Sequence, residues 1–94
     1  MNLGKVIRDL REEKGMNQQE LSKKSEVTQK TISYMEGGKT KINTETLRRI
    51  ADGLGVPVAF LIWKATERED IAEEKRPAYD QLRPSIDALI NTFR

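Results

Sequence analysis

The sequence predicts an all-α protein, a five-helix bundle followed by a C-terminal helical extension. Three observations predict it. Apolar residues recur three and four apart in successive short segments, as in Leu3, Val6, Ile7 and Leu10 and again in Leu47, Ile50, Ala51 and Leu54. Most of these segments follow a residue that can cap a helix, and several end at glycine. The chain has 94 residues, enough for one small core and too few for two ordinary domains.

Taken in order, Asn2 is the expected N-cap of the first helix, and Gly15 stops it by accepting the left-handed conformation. Met16 is placed to fold back on its last turn. Asn17 caps the second helix, with Glu20 three residues on as a capping-box partner and Leu21 opening the buried face. A short turn follows at Ser25-Glu26. Val27 is a hydrophobic anchor, and Thr28 caps a third helix running from Gln29 to about Glu36. Gly37-Gly38 ends that helix, and the basic loop Lys39-Thr40-Lys41 leads to Asn43, the expected N-cap of the fourth. Gly55 closes the fourth helix. Pro57 is expected to open the fifth as its first residue, where a missing N–H costs nothing, with Phe60, Leu61 and Trp63 following.

Residues 1–63 are thus assigned to the bundle, and residues 64–94 to a charged linker and a C-terminal helical segment. In that segment Tyr79, Leu82, Ile86, Leu89 and Phe93 step by three, four, three and four, the spacing of a seam between paired helices. The seam suits either packing back on the bundle or pairing with another chain. Pro84 is expected to break or kink it near Leu82, or else to start a last short helix.

Composition narrows the function. Seventeen Lys and Arg against fifteen Asp and Glu give a net charge of only +2. Between Lys23 and Lys41, however, Lys23, Lys24, Lys30, Lys39 and Lys41 face only Glu26 and Glu36, so the positive field is local. The absence of cysteine removes disulfides and thiolate metal sites and fits a reducing cytoplasm. No run approaches the roughly 18 apolar residues of a membrane span, so a soluble protein is expected, without cofactor or metal. There is no histidine either, which removes the commonest general base. The acidic residues are dispersed along charged helical faces. So small a bundle is also expected to offer no pocket of roughly 300 Å³ for a ligand, and no enzymatic activity is expected.

From Asn17 to Lys41 the chain reads as two short helices around a tight turn, with Leu21, Val27, Ile32 and Met35 as its buried face. In these residues it resembles the lambda-repressor/Cro-like helix-turn-helix family, often called the XRE family, over roughly Leu3 to Ile62. The resemblance implies a lambda-repressor-like DNA-binding bundle and sequence-specific regulation of transcription. It departs from the family pattern at Ser22, usually alanine, at Glu26, usually glycine, and at Ile42, usually proline. A left-handed Glu26 costs about 1 kcal/mol, so some reshaping of the turn is expected.

A helix that reads DNA presents polar side chains at the end that enters the major groove, and Gln29, Lys30 and Ser33 occupy it. Glutamine suits adenine and lysine suits guanine in direct readout. The resemblance adds Tyr34 as a fourth base-facing residue. Gln18 is expected on the DNA backbone and, by resemblance, as a bridge to Gln29. Thr28, Lys39, Thr40 and Lys41 complete the expected phosphate track. Arg11 and Glu36 match positions that form a structural ion pair in relatives.

The resulting expectation is a repressor bound to double-stranded DNA as a homodimer on a two-fold operator. The expected dimer contacts are Phe60, Ile62 and Trp63, together with Tyr79, Leu82, Ile86, Leu89 and Phe93. The competing expectation is an antitoxin-like module that binds a protein partner through residues 64–94.

Overall fold

Six α-helices order the chain in the computed structural model, which describes all 94 residues. They are α1 (Leu3–Glu13), α2 (Gln18–Ser25), α3 (Gln29–Glu36), α4 (Thr44–Leu54), α5 (Val58–Ala65) and α6 (Arg76–Ile90). Short 3-10 turns at Arg68–Asp70, Glu73–Lys75 and Asn91–Phe93 flank α6. α2 packs on α3 and α4, α1 packs on α3 and α5, and α6 lies against α5. The core joins Ile7, Leu21, Ile32, Ile50, Leu54 and Phe60 in one buried cluster.

Local chemistry sets most of the boundaries. Asn17 Oδ1 accepts from the Glu20 N–H at 2.8 Å, and Glu20 Oε1 accepts from the Asn17 N–H at 3.1 Å, a reciprocal cap on α2. Asn43 caps α4 through the Thr46 N–H at 2.8 Å. Gly15 and Gly55 take positive φ values of 72° and 74°. Glu26 takes the same conformation, φ 60° and ψ 27°, so the turn between α2 and α3 keeps the shape a glycine would give it. Ile42, in place of proline, packs against the core just before the Asn43 cap.

Several expectations need correction. Asn2 makes no side-chain cap. Its backbone N–H instead donates to the Ala65 carbonyl at 2.9 Å, which ties the start of α1 to the end of α5. Pro57 sits one residue outside α5, as its N-cap, with ψ at 150°. Pro84 neither ends nor begins a helix, for α6 runs through it. Pro84 is exposed, and so is Asp80, the residue one turn back whose carbonyl loses its N–H partner.

Two glycines set how closely the helices approach. A Cβ on Gly4 would lie 2.3 Å from the Met35 carbonyl oxygen, and one on Gly53 would lie 3.0 Å from Ser25 Cβ. The first allows α1 to cross the end of α3, and the second lets α4 pack on α2. Helix propensity alone favours alanine over glycine by about 1 kcal/mol. At Gly4 the clash is with backbone and outweighs that gain. Gly4→Ala is expected to destabilise the protein by about 1–3 kcal/mol, seen as a lower urea midpoint. An unchanged or higher midpoint would show that α1 can move away from α3 at little cost.

Candidate nucleic-acid interface

α3 has only eight residues, and it divides cleanly. Ile32 and Met35 are buried, while Gln29, Lys30, Ser33 and Tyr34 are exposed on the opposite side. Thr28 Oγ1 accepts from the Thr31 N–H at 3.2 Å, capping the end from which Gln29 and Lys30 project. Lys30 Nζ lies 5.8 Å from the centroid of the Tyr34 ring, so these two side chains cover one strip of the helix. Lys39, Thr40 and Lys41 are exposed on the loop that follows.

The far end of α3 is held by a buried polar network. Arg11 Nε donates to Glu36 Oε2 at 2.8 Å and Arg11 Nη2 to Glu36 Oε1 at 2.9 Å, a two-pronged bond. Arg11 Nη1 donates to the Met16 carbonyl at 2.8 Å. This guanidinium is almost enclosed, its residue only 8% exposed. Its bond to Glu36 raises its pKa, against the opposing effect of burial. Gln18 joins the same network, its amide donating to Glu36 Oε1 at 3.2 Å. The expected bridge from Gln18 to Gln29 is therefore replaced by one to Glu36, an ionised acceptor that makes the stronger bond.

An open cleft of about 390 Å³ adjoins this network, lined by Arg8, Gln18, Ser33 and Gly37 among others. Sequence reasoning does not single out Arg8. The signal was its spacing of three from Arg11, which puts both on neighbouring turns of one helix face. Other open clefts measure about 660 Å³ beside Met16 and Gly53, about 360 Å³ beside Gly4 and Met35, and about 320 Å³ beside Val6, Phe60 and Arg83. All of these are open surface grooves and none is an enclosed cavity. No group of three or more acidic side chains is placed to hold a metal.

The profile of a helix-turn-helix family matches residues 7–61, which contain α2, the left-handed turn and α3. The chain belongs to this XRE-type helix-turn-helix family. It is also similar to the HTH-type transcriptional repressor RghR of Bacillus subtilis (strain 168). The two are 31% identical over 77 residues, covering 81% of this chain and 57% of that protein. The chain therefore spans little more than half the length of this relative. No solved structure matches at the same stringency. No helix is long and apolar enough to cross a membrane.

The dimer residues expected on α5 part company. Phe60 is 1% exposed and belongs to the core, so it is not available as a surface contact. Trp63 is half-covered by α6: its indole N–H donates to Asp87 Oδ1 at 2.9 Å, and the Arg83 guanidinium stacks 4.7 Å from its ring centroid. Ile62 is exposed. On α6, Tyr79 and Ile86 turn toward the bundle, while Leu82, Leu89 and Phe93 face solvent. A period of three and four identifies an apolar stripe without saying which edge of it meets the bundle.

Charge on α4 is internally neutralised. Glu45 accepts from Arg48 at 2.7 Å and from Arg49 at 3.1 Å. These bonds lower its pKa from 4.5 to about 2. The positive field of the helix-turn-helix face therefore comes from the lysines. A depressed carboxylate pKa contributes stability that is present above pH 4.5 and lost as pH falls through about 2. In an NMR titration Glu45 is expected to titrate near pH 2, and to move back toward 4.5 in the Arg48→Ala/Arg49→Ala variant. A normal midpoint in the unaltered protein would mean that these exposed bonds do not persist in water.

For the buried pair, Glu36→Ala is expected to cost about 3–5 kcal/mol, because it strands the Arg11 charge. The double change Arg11→Met/Glu36→Leu should recover much of that loss. Urea denaturation of the three proteins decides the matter, and equal losses in the single and double variants would count against it.

Proposed function

We propose that this protein is a sequence-specific DNA-binding transcription regulator, a repressor, that inserts α3 into the major groove and acts as a homodimer on a two-fold operator. The observation that carries the reading is the outward face of α3. Gln29, Lys30, Ser33 and Tyr34 stand together on it, free of the core, on a helix whose two ends are fixed by the Thr28 cap and by Glu36. The name of the Bacillus relative supports the repressor assignment.

Gln29 and Lys30 are assigned to base edges, since an amide can bond adenine at two positions and an ammonium can donate to guanine. Ser33 and Tyr34 extend the readout along the groove. Gln18, Thr28, Lys39, Thr40 and Lys41 are assigned to the phosphate backbone, where contacts set register without reading sequence. A helix of two turns covers few base pairs. Useful specificity then calls for two copies, spaced about one turn of DNA or roughly 34 Å apart.

Selection of bound sequences from a random duplex pool tests the reading. The unaltered protein is expected to enrich a two-fold site. Gln29→Ala and Lys30→Ala should each lose preference at one symmetric base pair, worth about 1–3 kcal/mol. Lys41→Ala should instead weaken binding to all sequences and reduce the slope of log K against log salt by about 1. Salt-sensitive binding with no enriched site would refute sequence-specific regulation.

A further inference from the structure

α6 is amphipathic with its faces reversed. At about 100° per residue, Arg76, Asp80, Arg83 and Asp87 fall within one arc of roughly 60°. These charged residues bond to the protein itself. Asp80 accepts from Arg68 at 3.0 Å, Asp87 from Trp63 at 2.9 Å, and Arg83 donates to the Thr66 carbonyl at 2.9 Å. Arg76 donates to the Ile71 carbonyl at 3.1 Å. The opposite side carries Ala78, Leu82, Ser85, Leu89 and, on the following 3-10 turn, Phe93. Leu82, Leu89 and Phe93 are 54%, 61% and 52% exposed. In a chain that is 34% charged, no charged residue lies on this side between Ala78 and Phe93. A lone helix in water presents the reverse arrangement.

We infer that this outward face of α6 binds the same face of a second copy of the chain, with the two helices antiparallel. The inference specifies the homodimer named under the proposed function and rests on that reading. A two-fold interface must be self-complementary, and this face is. Placing the axis between Ser85 and Ile86 sets Leu82 against Leu89 of the second copy, and small Ala78 against large Phe93. Both pairs recur by symmetry. Ser85, a small residue at the crossing point, lets the helices approach closely. No like charges meet, since the charged arc of each α6 is turned to its own bundle.

The contact is short. Fifteen residues at about 1.5 Å each give a helix of roughly 22 Å, so the area falls toward the low end of specific interfaces, about 1,200 Å² or less. The dimer is thus concentration-dependent when free and reinforced on DNA, where two half-sites hold both copies together.

The absence of cysteine makes the register directly testable in the full chain. Under mild oxidation, a mixture of Leu82→Cys and Leu89→Cys proteins is expected to cross-link across the pair, while neither cross-links efficiently with itself. Self-linking of Leu82→Cys would indicate parallel helices and overturn the inference. In sedimentation equilibrium the unaltered chain should pass from monomer to dimer as concentration rises. Leu82→Glu/Leu89→Glu should remain monomeric with an unchanged far-UV spectrum, and with the melting temperature that the unaltered chain shows when dilute and monomeric.

A chain that stays monomeric up to millimolar concentration would overturn the inference, including the case where it captures a different protein. So would a dimer that survives the double substitution. None of these outcomes bears on base readout by α3, which the duplex selection with Gln29→Ala and Lys30→Ala reports separately.

Discussion

The two-pronged bond between Arg11 and Glu36 is the constraint on which the geometry of the helix-turn-helix face depends. An eight-residue helix has no independent stability in water, where isolated helices shorter than about 12–15 residues are marginal. α3 is therefore held in place by its surroundings. Ile32 and Met35 fix its distance from the core, and Glu36 fixes its rotation and its position along its own axis. Through Arg11 and Gln18 that one carboxylate is joined to α1, to the Met16 carbonyl and to the start of α2. Such a buried pair adds little net stability over an apolar substitute. Its directional bonds restrict orientation in a way that an apolar contact does not, and orientation is what a short reading helix lacks.

The turn before α3 follows the same logic at shorter range. Glu26 accepts a left-handed backbone at a steric cost that glycine would avoid. Neighbouring bonds hold it there: Ser22 Oγ donates to the Val27 carbonyl at 2.6 Å, and the Val27 N–H donates to Ser25 Oγ at 3.2 Å. Val27 is then buried, which commits the chain to enter α3 at one angle. The serine in place of the family's usual alanine is thus part of the turn.

What could be read from the sequence was what short-range chemistry determines. The Asn17–Glu20 cap, the Thr28 and Asn43 caps and the left-handed positions at Gly15 and Gly55 each involve residues within four of one another. The family pattern added the Arg11–Glu36 pairing, which spans 25 residues and has no local signature. The features that escaped depend on distant partners. Gly4 looks like an ordinary weak helix residue until the Met35 carbonyl is placed beside it. Gln18 has several possible acceptors, and only the folded chain selects Glu36. The side of the apolar stripe on α6 that turns inward depends on where Trp63 and Thr66 offer polar partners, which periodicity does not carry.

The main buried cluster draws all of its members from residues up to Leu61, and α6 supplies only the half-buried Ile90 at its margin. α6 is attached mostly by hydrogen bonds and stacking around Arg83, Trp63 and Asp87. Bonds of that kind exchange with water at small net cost, whereas opening the cluster exposes apolar surface. The molecule therefore has two tiers of cohesion. Its last helix is expected to lift away and return while the first five remain folded, so that backbone amides in α6 should exchange with solvent through that partial opening rather than through global unfolding.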